Sequence, residues 1–187
     1  MKKKSYRVVS DSLGKVKVPK DALYGAQTQR AIDNFKISWY RFDPIFLESL
    51  ASLKAACAMA NKEAKLISTS KSKAIQQSAM EIFNNIEKYY DQFPIDIFQT
   101  GSGTSTNMNM NEVLASLTEK KIKSKIHPND DINKSQSSND VIPSAINISS
   151  VLLCDELSDV IDFLIMTLIE KEWEYKDIIK TGRTHLM

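Results

Sequence analysis

The side chains best suited to chemistry gather in two short runs of hydroxyl and amide residues. The first is Gly101-Ser102-Gly103-Thr104-Ser105-Thr106-Asn107-Met108-Asn109-Met110-Asn111-Glu112. Small residues let a ligand approach the backbone, and hydroxyls and N–H groups leading into a helix N-terminus favour a carboxylate or phosphate. The same run is also good capping chemistry for a polar loop, and spacing alone does not separate the two readings. It is not a P-loop, because no Gly-Lys-Ser/Thr follows and no strand clearly precedes it. Asparagines at alternate positions are poor helix formers, and buried ones need partners, so a polar network is expected here. The second run, Ser135-Gln136-Ser137-Ser138-Asn139-Asp140, precedes a helix. By itself it reads as a cap worth about 1 kcal/mol; its pairing with the first run weakens that reading.

The two histidines stand apart. His127 lies in His127-Pro128-Asn129-Asp130-Asp131, a turn by local rules. His185 follows Gly182-Arg183-Thr184. Two isolated histidines do not make a zinc site, and no metal or cofactor is expected. A histidine beside a threonine hydroxyl and near a carboxylate-binding loop suits proton transfer, although a lone histidine is also commonly structural.

The elements that must position these groups are mainly helical. Only five glycines and five prolines occur in 187 residues, which favours helices over a many-turned β fold. Charged residues are 26% and hydrophobic ones 42%, which excludes disorder. The net charge of +2 gives no reason to expect a nucleic-acid partner. Residues 1–20 read as an extended arm with a turn at Asp11-Ser12-Leu13-Gly14. Asp43-Pro44 signals a helix start, followed by a broad face of Leu47, Leu50, Ala51, Lys54, Ala55 and Ala58. A second helix is expected from about Ser70 to Tyr90, and a third resumes near Thr106. Residues 118–138 look loop-like. A long helical region runs from Ser138 to about Lys176, with Pro143 in its first turn and a break permitted at Cys154-Asp155-Glu156. Cys57 and Cys154 are expected to be buried reduced thiols. No apolar run follows the basic start and none later is long enough to span a bilayer, so no membrane partner and a cytoplasmic location are expected.

Read together, these segments resemble the fumarase and aspartase superfamily. The resemblance is carried by Phe93 through Val113, by His127-Pro128-Asn129-Asp130, by Ser135 through Asp140 and by Gly182-Arg183-Thr184-His185-Leu186. Val18-Pro19 and Tyr24-Gly25-Ala26-Gln27-Thr28-Gln29-Arg30 extend it toward the N-terminus. Thr100-Gly101-Ser102 and His127-Pro128 are similar to the metal-independent class II fumarate hydratases rather than to aspartate ammonia-lyases.

The resemblance implies a mainly α fold: a small N-terminal helical domain over 1–136, then the start of a long-helix central bundle over 137–187, within a homotetramer. It implies reversible hydration of fumarate to L-malate. Ser102, Gly103, Thr104, Ser137, Ser138, Asn139 and Thr184 correspond to substrate-binding positions, and His185 to the catalytic histidine. His127, Pro128, Asn129 and Asp130 correspond to a secondary dicarboxylate site. In the family the carbon acid's base is a serine in a Gly-Ser-Ser-x-Met-Pro loop, which does not occur in these 187 residues. Ser144 stands where threonine is usual, and Met187 where glutamine is. The expectation is therefore an N-terminal portion that is inactive alone. An aspartate ammonia-lyase-like enzyme, or an inactive interaction module of the same fold, are the alternatives.

Overall fold

A computed structural model describes residues 5–182 and 185. They divide into two units, Met1–Ser149 and Ser150–Met187. The fold is mainly helical, as the scarcity of breakers predicts.

In the first unit, the N-terminal arm is a hairpin of β1 (Tyr6–Asp11) and β2 (Gly14–Pro19), antiparallel with Tyr6 opposite Pro19 and Asp11 opposite Gly14. Asp11 closes the turn by accepting the Leu13 N–H at 2.9 Å. Gly14, at φ +111°, takes a conformation that L side chains rarely adopt.

Helix α1 (Ala26–Asn34) has no counterpart in the sequence reading, and its packing explains why. It buries only Ala26, Thr28 and Ala31, too few for a periodic apolar signal. Two distant carboxylates hold it. Asp11 takes a two-pronged contact from Arg30, at 3.0 Å for each pair. Glu112 accepts the N–H groups of Gly25, Gln27 and Thr28 at 2.8, 3.0 and 3.1 Å.

Helix α2 (Pro44–Glu63) starts as expected, with Asp43 accepting the Ile45 N–H and Pro44 in the first turn. Helix α3 (Thr69–Asn84) is capped by Ser68. The expected continuation to Tyr90 is broken at Asn85, whose backbone (φ −142°, ψ 40°) leaves the helix. A short helix α4 (Ile86–Tyr89) and one tighter turn (Tyr90–Gln92) follow. Helix α5 (Thr104–Ile122) begins two residues earlier and ends later than the sequence suggested. The rest of the loop-like segment contains a π-type turn, Pro128–Ile132.

Helix α6 (Ser138–Tyr175) runs without a break through Cys154–Glu156. Pro143 is its sixth residue and so lies in the second turn rather than the first. There it denies the Asn139 carbonyl its intrahelical donor. The core of the first unit is Val18, Leu47, Leu50, Ile75, Ile82, Met110, Val113, Leu114 and Val141.

The second unit contains the remainder of α6. Its apolar residues, among them Leu157, Val160, Ile161, Phe163, Leu164 and Leu168, are exposed. Neither cysteine is buried as expected: Cys57 is half-buried and Cys154 exposed, and both are free thiols. Burial of part of the Cys57 side chain still pushes its thiol pKa up. No helix among the described residues is long and apolar enough to cross a membrane.

Candidate functional site

The two hydroxyl–amide runs meet where α5 and α6 begin. Gly103 precedes the first residue of α5 at φ +67°, a left-handed conformation suited to glycine. A Cβ at Gly103 would lie 2.9 Å from Ile142 Cγ2 and 3.0 Å from Ile142 Cγ1. The missing side chain therefore lets the first loop close onto the second turn of α6. One turn into α5, Asn107 donates through Nδ2 to Ser138 Oγ at 3.1 Å. These two contacts tie the start of α5, and the glycine before it, to the first two turns of α6.

The exposed hydroxyls of Ser102 and Thr104 lie 2.9 Å apart. The Thr106 N–H is taken by Gln99 Oε1 at 2.8 Å, and the Asn107 N–H by the Gly103 carbonyl at 3.0 Å. Among the described residues the Thr104 and Ser105 N–H groups find no acceptor. The start of α5 thus offers backbone and hydroxyl donors to an outside acceptor, with the positive end of the helix dipole behind them.

At α6, Ser137 does the capping that its sequence context also allowed. Its carbonyl accepts the N–H groups of Asp140 and Val141, and its hydroxyl accepts that of Asn139 at 3.3 Å. Ser137 and Asn139 are exposed, and Ser138 is half-buried against Asn107.

The expected asparagine network is present beneath this surface. Asn107, Asn109 and Asn111 are all buried. Asn109 Nδ2 donates to the Gln92 carbonyl at 2.9 Å. Asn107 and Asn111 both donate to Asn133 Oδ1, at 3.1 and 3.2 Å. The same oxygen accepts a third bond from Lys54 Nζ at 3.0 Å, and Lys54 also donates to Gln136 Oε1 at 2.8 Å. Lys54 is 0% exposed. Burial drives its pKa down to about 7, with the Cys57 thiol opposing the shift. The sequence signal for this group was a lysine set squarely within the apolar face of α2.

His127 lies on a separate part of the same unit. Its Nδ1 accepts the Asp130 N–H at 3.2 Å and lies 3.0 Å from Asp130 Oδ2. Asp131 fastens this turn, accepting the His127 N–H at 2.9 Å and pairing with Lys71 at 2.6 Å. Burial raises the Asp131 pKa, but these two donors outweigh it and hold the carboxyl below the usual range. His127, Pro128 and Asn129 line a cleft of about 570 Å³ together with Gly25, Glu112 and Lys125. The sequence reading included Glu112 and Asp131 in these two segments without giving either a role.

His185 is an exposed turn residue of the second unit, and Thr184 lies outside the described residues. The constellation described above is therefore built from the first unit alone. Among the described residues no group of three or more His, Cys, Asp or Glu side chains could hold a metal ion.

The geometry has counterparts in known proteins. The chain is 46% identical to a class II fumarate hydratase of Xylella fastidiosa over 183 residues, covering 97% of this chain and 38% of that protein. It is 45% identical to a class II fumarate hydratase of Bacillus subtilis, covering 97% of this chain and 40% of that one. Among solved structures, the class II fumarase of Schistosoma mansoni superposes with a TM-score of 0.91 at 39% identity, covering 98% of this chain and 40% of that one. A Brucella melitensis protein titled fumarate lyase:delta crystallin gives 0.91 at 37% identity, covering 98% and 44%. The chain thus spans about two-fifths of the length of the curated relatives it matches. A family model described as "Lyase" matches residues 14–187, nearly the whole chain, and with that match the chain belongs to the lyase family.

Proposed function

We propose that this chain carries the first substrate-binding portion of a class II fumarate hydratase, which interconverts fumarate and L-malate. The supporting observation is that the Gly103–Ile142 and Asn107–Ser138 contacts tie the start of α5, beside Ser102-Gly103-Thr104, to the start of α6, where Ser137-Ser138-Asn139 lie. Removing the proton beside a carboxylate builds extra negative charge on that group. Hydroxyl, amide and backbone donors held in place before the reaction stabilise such charge. Ser102, Gly103 and Thr104, with Ser137, Ser138 and Asn139, would bind the dicarboxylate. Thr184 would contact it, and His185 would activate the attacking water, or protonate the departing hydroxyl in the malate direction. His127 through Asp130 would form a second dicarboxylate site.

The domain division at 136/137 and a homotetrameric assembly belong to the same reading and rest on the family resemblance, and a cytoplasmic location is proposed with them. So does the expectation that turnover requires the greater length found in the relatives.

Fumarate and L-malate titrated into the isotopically labelled full chain test the binding step. The amide resonances of 102–104 and 137–139 should move together and saturate with one dissociation constant. Movement of only one segment, or of neither, overturns the reading. Ammonia release from aspartate without fumarate hydration, in an assembled enzyme containing this chain, would favour the aspartate ammonia-lyase alternative.

A further inference from the structure

Lys54 carries a buried amine with no carboxylate partner among the described residues. Among the described residues it forms no ion pair, and its partners are the side-chain carbonyls of Asn133 and Gln136. Both amides are fixed in the orientation that suits an ammonium. Gln136 commits its NH₂ group to the Ile132 and Lys134 carbonyls at 2.8 and 3.2 Å, which leaves its oxygen for Lys54. Asn133 commits its NH₂ to the Gln136 carbonyl at 3.2 Å, which turns its oxygen toward Lys54, Asn107 and Asn111.

Removing a charge from water costs more than neutral amides return, and an apolar side chain of similar length would fill the space without that cost. The charge also lies close to the candidate site. From Lys54 Nζ, one shared acceptor, Asn133 Oδ1, leads to Asn107 Nδ2, and the same amide reaches Ser138 Oγ. Charges in a poorly solvated interior act across such distances far more strongly than they do in water.

We propose that Lys54 is a positioning residue whose ammonium, behind Asn107 and Ser138, serves as the counter-charge for a dicarboxylate bound at 102–104 and 137–139. The proposal rests on the dicarboxylate reading of that site. A bound dianion would favour the protonated lysine, so binding and protonation reinforce each other. The groups bearing on Lys54 from α5 and the 133–136 segment are amides. The titratable ones are the Cys57 thiol on the same helix and, acting on that thiol, Asp140.

The experiment measures dissociation constants for fumarate and L-malate on the full chain between pH 6 and 9, for wild type and two variants. Wild type should bind about tenfold more tightly at pH 6 than at pH 9, because Lys54 loses its proton across that range. Lys54→Met should lose about tenfold in affinity at pH 6 and lose the pH dependence, with no fall in melting temperature. Gln136→Glu keeps the lysine in place and protonated but compensates its charge with a carboxylate, and should weaken binding at pH 6 to a similar degree even if Lys54→Met does not fold. Affinity unchanged in Gln136→Glu, or unchanged in a folded Lys54→Met, overturns the proposal while leaving the site intact. Absence of dicarboxylate binding in wild type instead overturns the site reading, and the role of Lys54 falls with it.

Discussion

At the scale of single residues, the lysine and the glycine beneath the candidate site make opposite demands on stability. Lys54 holds its proton less tightly when folded, with a pKa of about 7, than at the ordinary lysine value of 10.5. The unfolded chain therefore binds more protons above pH 7, and folding stability should rise with pH from about 7 until the Cys57 thiol begins to ionise. The slope for one proton approaches about 1.4 kcal/mol per pH unit. Denaturant unfolding at pH 7 and pH 8.5 should show the gain in wild type and none in Lys54→Met. Gly103→Ala should act the other way. A side chain in the left-handed region costs about 1–2 kcal/mol, and the new methyl would press on Ile142 in addition. Its melting temperature should fall, and the resonances of Ser138 and Asn139 should shift with it. A variant as stable as wild type would show that the loop does not need this close approach.

At the scale of elements, α1 is secured by carboxylates from elsewhere in the first unit, and the His127 turn by a carboxylate of its own, Asp131. Glu112 is 7% exposed and takes three backbone N–H groups at the start of α1. Glu112→Ala should destabilise by about 2–3 kcal/mol, because charge-assisted bonds are lost and buried donors are stranded. Hydrogen exchange should localise the loss to residues 26–34; uniform loss across α2 and α3 would contradict this assignment. Asp131 secures the His127 turn in a pH-dependent way. Its folded pKa lies below the unfolded value of 3.8, so its contribution is present above that value and is lost as pH falls through the folded pKa. Wild type should therefore lose more stability than Asp131→Asn as the pH is lowered from 5 to 2, measured by thermal unfolding.

The same elements show what a sequence can and cannot express. Asp43-Pro44 marks a helix start through contacts within a few residues, so it was legible. The alternating asparagines were legible as a network because three poor helix formers in one helix need a reason. Helix α1 was not legible, since the carboxylate that supports it lies 87 positions from Gly25. The break at Asn85 was hidden by apolar spacing that continues in phase across it. Lys54 sat in plain view, but only tertiary packing shows that α2 turns it inward toward Asn133 and Gln136 rather than letting it reach solvent.

At the scale of the whole molecule, the two units differ in how their apolar residues are placed. The first unit encloses a core. The second exposes Leu157, Val160, Ile161, Phe163, Leu164 and Leu168. Contiguous apolar surface of this kind marks an interaction face or an aggregation liability. The full chain should bind an apolar dye and sediment as a species larger than 21.1 kDa. Val160→Asp combined with Leu164→Asp should reduce both signals. A dye-negative monomer in the unsubstituted chain would remove the reason to assign this face an assembly role.

The reach of Glu112 back to Gly25, Gln27 and Thr28 also orders events during synthesis. A nine-residue helix is marginal in water without outside support. The chain leaves the ribosome N-terminus first, so α1 is made long before the carboxylate that caps it. Nascent chains that end short of residue 112 should leave 26–34 open to proteolysis. Those that expose α5 beyond the exit tunnel should protect it. The first helix of this unit in chain order would be among the last in it to become stable.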